Sequence, residues 1–183
     1  MTRVVLSIGS NLGDRMARLR SVVDGLGSTV RAVSAVYETD PWGGLDQGQF
    51  LNAVLIAEDP DRDGHAWLRR AHELEDAAHR VRGERWGPRT LDVDLVTCYE
   101  TSPAGDTLVI SRDDGLTLPH PLAHLRAFVL VPWLGIDPDA ELMVAGHDRP
   151  VSTLVAELDP AERAAVRRTD LSLGAPPDAK TAH

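Results

Sequence analysis

Residues 91–96 read Leu-Asp-Val-Asp-Leu-Val, with apolar and acidic side chains alternating from Leu91 to Leu95. A helix would wrap the acids into the apolar stripe, whereas a strand sends successive side chains to opposite faces. Leu91, Val93 and Leu95 then seek a core, while Asp92 and Asp94 share the other face about 7 Å apart. The chain must therefore build a layer with one buried and one functional or solvated side. Two carboxylates on one face repel, which is costly unless a cation sits between them, and hard oxygen ligands suit Mg²⁺ that keeps water and phosphate in its other positions. The plain alternative is an amphipathic edge strand with a solvated acidic face.

The rest of the chain supplies partners for that strand. Residues 3–8 read as a buried strand ending at Gly9-Ser10-Asn11. A helix follows, with Asp14 as N-cap, the stripe Met16, Leu19, Val22, Val23 and Leu26, and closure at Gly27. Residues 29–39 alternate as one strand, residues 41–44 open a long loop, and residues 50–57 return as a strand. From Asp63 a second helix carries Trp67, Ala71, Leu74, Ala78 and Val81 at spacings of four and three. After the Asp-x-Asp strand come a short strand at residues 108–111, a Pro-rich stretch at residues 119–121 and an apolar element at residues 128–133. The order β-α-β-β-α-β is that of a ferredoxin-like sandwich. Residues 1–169 are expected to form a single domain. From Asp170 onward Asp, Pro, Ala, Gly and Lys predominate, which predicts a disordered tail over residues 170–183.

Upstream of the acids, Arg80, Arg82, Arg85 and Arg89 fall within ten residues, in a chain with 19 Lys and Arg against 28 Asp and Glu and a formal net charge of −9. A cationic cluster against that background points to an anionic ligand. Guanidinium forks pair bidentately with phosphate, and carboxylates with Mg²⁺ hold the same phosphates from the other side. Gly83, Gly87 and Pro88 oppose helix formation, so the arginines are expected on a loop able to close over a nucleotide. A solvated basic loop paired with surface acids is the bland reading. The acidic balance excludes a broad nucleic-acid or anionic-membrane surface.

Further signals are weaker. Cys98 is the only cysteine and lies in an apolar run, which predicts a small buried hydrophobe. The first residues lack the features of a signal peptide, and the longest apolar run, residues 127–136, is interrupted by Pro132 and too short to span a bilayer, so a soluble cytoplasmic protein is expected. Residues 9–13, Gly-Ser-Asn-Leu-Gly, lack the pattern of a phosphate cradle and read as a tight turn. His72, Glu75 and His79 share a helical face at a spacing a transition metal could use, though not as His-Glu-x-x-His. Glu75, beside the apolar stripe, suits either a nucleotide contact or a surface ion pair.

Five motifs occur together in order: residues 8–13 (Ile-Gly-Ser-Asn-Leu-Gly), Tyr37-Glu38-Thr39 with Pro41, Phe50-Leu51-Asn52, residues 85–96, and residues 118–121 with residues 126–130. In these the chain resembles the hydroxymethyl-dihydropterin pyrophosphokinases of folate biosynthesis over roughly residues 3 to 158. The resemblance implies a three-layer α/β/α sandwich of the α+β class around a mostly antiparallel sheet. It also implies transfer of pyrophosphate from ATP to 6-hydroxymethyl-7,8-dihydropterin with release of AMP, assisted by two Mg²⁺ ions.

Carried over, Asp92 and Asp94 match the metal ligands. Arg80, Arg89 and Arg126 match arginines on the phosphates, and Arg82 and Trp86 lie on the mobile catalytic loop. Glu75 and His120 resemble ATP-site residues. Phe50 and Phe128 correspond to an aromatic pair on the two pterin faces, with Asn52 and Thr39 on its edge and Gly9 and Trp42 also at the pterin. A flat heterocycle wants two aromatic faces and a few rim donors and acceptors; core packing is the alternative for the two phenylalanines. The chain departs from the family at His79, where a glycine is common, and at Gly115 and Leu122, where a basic residue is common. Two other classes fit parts of the pattern: a nucleotidyl transferase, which would release pyrophosphate, and a non-catalytic ligand-binding module, which would not need both aspartates and the arginine loop.

Overall fold

The computed structural model describes residues 1–41, 48–79 and 90–176; the expectations placed on Trp42, Arg80, Val81, Arg82, Arg85, Trp86 and Arg89 lie outside the described residues. β1 (Thr2–Ser10) leads into α1 (Arg15–Leu26), where the Asp14 carboxylate accepts from Ala17 N at 3.0 Å. Leu19, Val22, Val23 and Leu26 bury the expected stripe, and Gly27 ends the helix at φ 54°, a conformation that side chains resist.

Residues 29–39 form two strands rather than the single one expected, β2 (Val30–Val33) and β3 (Tyr37–Thr39), both antiparallel to β4 (Phe50–Asp59). Ser34 bridges the break. Its hydroxyl accepts from Val54 N and its own N–H donates to Val54 O, each at 2.9 Å, so the interruption leaves the ladder satisfied. α2 (Gly64–Ala77) starts at Asp63, whose carboxylate accepts from Ala66 N at 2.8 Å, and buries Trp67, Ala71 and Leu74, with Ala78 at its end.

β5 (Asp92–Ser102) turns at once into β6 (Gly105–Leu108). The strand expected at residues 108–111 is displaced, because Asp113 folds the next residues into a tight turn by accepting from Gly115 N at 3.0 Å and Leu116 N at 2.7 Å. That turn pairs β7 (Ser111–Arg112) with β8 (Thr117–Leu118) as a separate ribbon. The apolar stretch that follows is a helix, α3 (Ala127–Ile136), succeeded by the hairpin of β9 (Glu141–Val144) and β10 (His147–Pro150). Two short helices, α4 (Val151–Glu157) and α5 (Pro160–Ala164), then precede β11 (Val166–Arg168).

The main sheet has the order β11-β3-β4-β1-β5-β6, with β2 beside β4, and its pairings are antiparallel. Val4, Leu6 and Ile8 of β1 pack with Leu91, Val93 and Leu95 beneath α1 and α2, while Val5, Val54 and Val96 pack against α3 and α4. Helices thus cover both faces, giving the expected α+β ferredoxin-like three-layer sandwich. Each Val or Leu buried there is worth about 1.5–3 kcal/mol, which anchors β1 and β5 and hence the acids they carry. One irregularity matters: Leu6 pairs with Leu95 but Val5 with Thr97, so Val96 is an inserted bulge residue. Past β11 the described residues through 176 form no helix or strand, and Leu173 packs against the α1/α2 core.

Candidate functional site at one end of the sheet

Register places the site. Tyr37, Asn52, Gly9 and Asp92 form one row across β3, β4, β1 and β5, and Asp94 lies opposite Ser7. Because Val5, Val54 and Ile56 face α3, alternation puts Gly9, Phe50 and Asn52 on that same face. Asp92 and Asp94 share it, since their neighbours Val93 and Leu95 face the other way. The expected sorting of the Asp-x-Asp strand is therefore observed.

Thr39 and Asn52 are both buried, and Thr39 Oγ1 donates to Asn52 Oδ1 at 2.6 Å while Asn52 Nδ2 donates to Ile8 O at 3.3 Å. The amide is thereby held in one orientation with a second N–H still available to a ligand. Gly9 is required beside it: a Cβ there would lie 2.5 Å from Asn52 Nδ2 and 3.4 Å from Phe50 Cδ1. Phe50 and Phe128 are each only half-buried, unlike the core aliphatics around them, which leaves ring surface for a ligand.

Arg126 ties the acids to the aromatic side. It is 5% exposed, with Nη1 3.8 Å from Asp94 Oδ2 and its guanidinium 5.4 Å from the centre of the Phe128 ring. It precedes α3, so the helix that carries Phe128 also delivers the cation to β5. The aromatic face and the carboxylate together fix the orientation of the buried guanidinium.

Beside β5 runs a groove of about 340 Å³, lined by Leu68, His72, Glu75, Val93, Asp94, Leu95, Thr117 and His120. It lies beyond the pairing of β6, which among the described residues takes only residues 99–102 of β5. Glu75 is 2% exposed, so the surface ion-pair alternative is set aside by burial. His120 is fixed by its N–H donating to Val96 O at 2.8 Å and by Nδ1 accepting from Leu122 N at 3.1 Å. Burial and the Arg126 charge push its imidazole down to about 4 against a weaker pull from Asp92, so near pH 7 the ring is neutral. With Nδ1 occupied as acceptor, the proton resides on Nε2.

Asp94 borders both regions, the groove on one side and the Phe128–Asn52 face on the other. Among the described residues no three His, Cys, Asp or Glu side chains converge as a metal site, and His72, Glu75 and His79 do not. The sequence reading missed Leu68 and Thr117 as groove walls, since neither stands out in composition; Leu68 is placed by α2 packing on β5, and Thr117 by the β7–β8 ribbon docking against β5. Gly115 also lines the groove and Leu122 holds His120, so both departures from the family pattern fall at this site. Cys98 is buried, as expected, and its thiol is pushed up to about 11 by burial and the nearby Glu100 and Asp63 charges. Among the described residues no helix is long and apolar enough to cross a membrane.

This arrangement agrees with comparisons to known proteins. A family model for 7,8-dihydro-6-hydroxymethylpterin-pyrophosphokinase matches residues 5–138. A Mycobacterium tuberculosis protein named 2-amino-4-hydroxy-6-hydroxymethyldihydropteridine pyrophosphokinase is 67% identical over 169 residues, 91% of this chain and 89% of its own. A Methylorubrum extorquens protein of the same name is 42% identical, over 88% of this chain and 96% of its own. In fold, the chain is similar to the Plasmodium falciparum HPPK-DHPS crystal structure, with a TM-score of 0.60 at 11% identity, covering 85% of this chain and 44% of that longer one. The family model and the named relatives thus place the chain in a pterin-directed pyrophosphotransferase class. The chain belongs to the 7,8-dihydro-6-hydroxymethylpterin-pyrophosphokinase family. It is an enzyme that transfers pyrophosphate from ATP to 6-hydroxymethyl-7,8-dihydropterin in folate biosynthesis, which sets aside the nucleotidyl-transferase and binding-module readings.

Proposed function

We propose that this reaction runs at the end of the sheet just described, in the cytoplasm, with the pterin on the α3 face and ATP in the groove around β5. The row Asn52–Gly9–Asp92, with Arg126 joining Asp94 to Phe128, carries the reading. Phe50 and Phe128 take the two faces of the heterocycle, Asn52 and Thr39 its polar edge, and Gly9 the close approach beneath it. The family resemblance assigns Trp42, outside the described residues, to the pterin as well. Glu75 and His120 orient the nucleotide, His120 as a neutral Nε2–H donor, while Arg126 draws the transferred phosphates toward the pterin hydroxymethyl. Arg80, Arg82, Trp86 and Arg89, outside the described residues, are assigned to ATP and the transferred phosphates by the family resemblance.

Two Mg²⁺ ions fit the donor set. Asp92 and Asp94 offer hard oxygens on one face, and with no third ligand converging among the described residues the remaining positions suit water and phosphate, the usual coordination of Mg²⁺. When bound, the ions neutralise phosphate charge that would otherwise repel the incoming oxygen. The protein's own contribution is alignment: the hydroxymethyl oxygen must lie in line with the β-phosphorus and the departing AMP oxygen.

The test is a pair of binding titrations on Phe50→Ala and Phe128→Ala. Each is expected to weaken pterin binding by about 1–3 kcal/mol through lost stacking and burial, with ATP affinity nearly unchanged. Loss of ATP affinity with retained pterin affinity would overturn the assignment.

A further inference from the structure

Residues 159–168 lie beyond the 5–138 span of the family match, yet they touch both walls of the pterin site. From α5, Glu162 Oε1 accepts from Ala127 N at 3.1 Å. Ala127 is the first residue of α3 and stands between Arg126 and Phe128, so a carboxylate occupies the helix N-terminus at the point where both site residues emerge.

Four residues after Glu162, β11 pairs with β3, Val166 opposite Thr39, Arg167 opposite Glu38 and Arg168 opposite Tyr37. Arg167 Nη2 donates to Asp40 Oδ1 at 2.9 Å and Nη1 to Asp40 Oδ2 at 3.4 Å, while Asp40 N donates to Ala165 O at 3.0 Å. The same Asp40 Oδ1 accepts from Gln49 Nε2 at 3.0 Å. Asp40 directly follows Thr39, and Gln49 directly precedes Phe50. Arg15 Nη1 holds Gln49 O from the other side at 3.0 Å. Thr39 in turn donates to Asn52.

We propose that residues 159–168 are a positioning element for the pterin site, with Glu162 setting α3 and therefore Phe128 and Arg126, and Arg167 setting β3 and the start of β4 and therefore Thr39, Asn52 and Phe50. This rests on the pterin reading above. A stacking slot between two aromatic rings works only at one spacing, and here the rings sit on separate elements, α3 and β4. α3 and β4 pack directly on one another, and the C-terminal segment adds hydrogen bonds to the supports of both. Glu162 and Arg167 act through other residues and touch no reacting atom.

The experiment uses the full chain and the authentic substrates. Glu162→Ala and Arg167→Ala are each expected to raise the pterin KM and the pterin Kd from fluorescence titration about threefold to tenfold, as for loss of one charge-assisted hydrogen bond. The ATP KM is expected to stay within about twofold, and Glu162→Gln, which keeps an acceptor, to restore most of the pterin affinity. A fall in melting temperature with unchanged pterin KM and Kd would overturn the proposal, since that is what a purely structural segment would show. If an alanine variant fails to fold, Asp40→Asn decides: a raised pterin Kd supports the proposal and an unchanged one overturns it. Phe50→Ala is the control. If it weakens pterin binding while the C-terminal variants do not, positioning alone fails; if it too is silent, the pterin reading falls and this proposal with it.

Discussion

Gly9 faces Asn52 across adjacent strands so closely that a single methyl on Gly9 would come within 2.5 Å of the Asn52 amide nitrogen. Asn52 cannot simply turn away, because Thr39 and the Ile8 carbonyl hold its two ends. Gly9→Ala is therefore expected to push Asn52 and Phe50 out of place and to weaken pterin binding by about 1–3 kcal/mol, the usual range for overpacking. Isothermal titration with the pterin checks this, and ATP affinity should change little. Unaltered pterin affinity would show that the amide does not meet the ligand.

Asp92→Asn and Asp94→Asn should each abolish most turnover; in a chelator Asp92→Asn should melt no lower than the parent, whereas Asp94→Asn, which takes a carboxylate from beside the buried Arg126, should melt lower. On the proposed reading, either change relieves repulsion across the strand face but removes a ligand from the cations that would neutralise the transferred phosphates. The assay is AMP release across a Mg²⁺ titration. Near-normal turnover of either variant at saturating Mg²⁺ would return the pair to an ordinary acidic strand face.

His79 closes α2 with φ 58°, its N–H donating to Asp76 O at 3.0 Å. A left-handed residue after a helix is ordinarily glycine, and a side chain in that conformation costs about 1 kcal/mol. His79→Gly should raise stability by roughly that amount in denaturant unfolding, with the m-value unchanged. A destabilised variant would mean that the imidazole makes a contact worth more than the strain.

His120 gives the protein a pH dependence of defined sign. Its value falls from 6.5 to about 4 on folding, so the unfolded chain binds the extra proton first and stability is lost as pH drops from about 6.5 toward 4. Above that window the group contributes nothing, and below it the loss levels off. With partial exposure screening the effect, roughly 2 kcal/mol is expected in the metal-free protein. Chemical denaturation at a series of pH values should show a slope that His120→Gln lacks; equal slopes would refute the assignment.

Much of this was legible in the chain. Alternation at residues 91–96 announced the acids' shared face, and Asp14, Asp63 and Gly27 marked helix boundaries, because such signals are local. What escaped was set by distant partners. The break at Ser34 depends on a hydroxyl reaching β4, and Asp113 bends the chain where composition alone suggested a strand. Glu75 looked ambiguous because its burial is decided by the ribbon and strand packed around it. Glu162 and Arg167 carry no motif at all, and only the return of the C-terminal segment to β3 brings them to the site.

The extra residue at Val96 acts as a phase slip in β5. Upstream, even-numbered side chains face α3; downstream, Cys98 packs under α1 and α2 and Thr97 takes the side of Val5. The strand can therefore present acids at one end and still bury its other end without the two demands sharing one parity. The carbonyl of that same residue accepts the His120 N–H, so one irregularity both sets the direction of the carboxylates and moors the loop that borders the groove beside β5. A one-residue deletion there would force a choice between a properly seated far end and aspartates aimed at the site, making β5 intolerant of length change at a position where no side chain does chemistry.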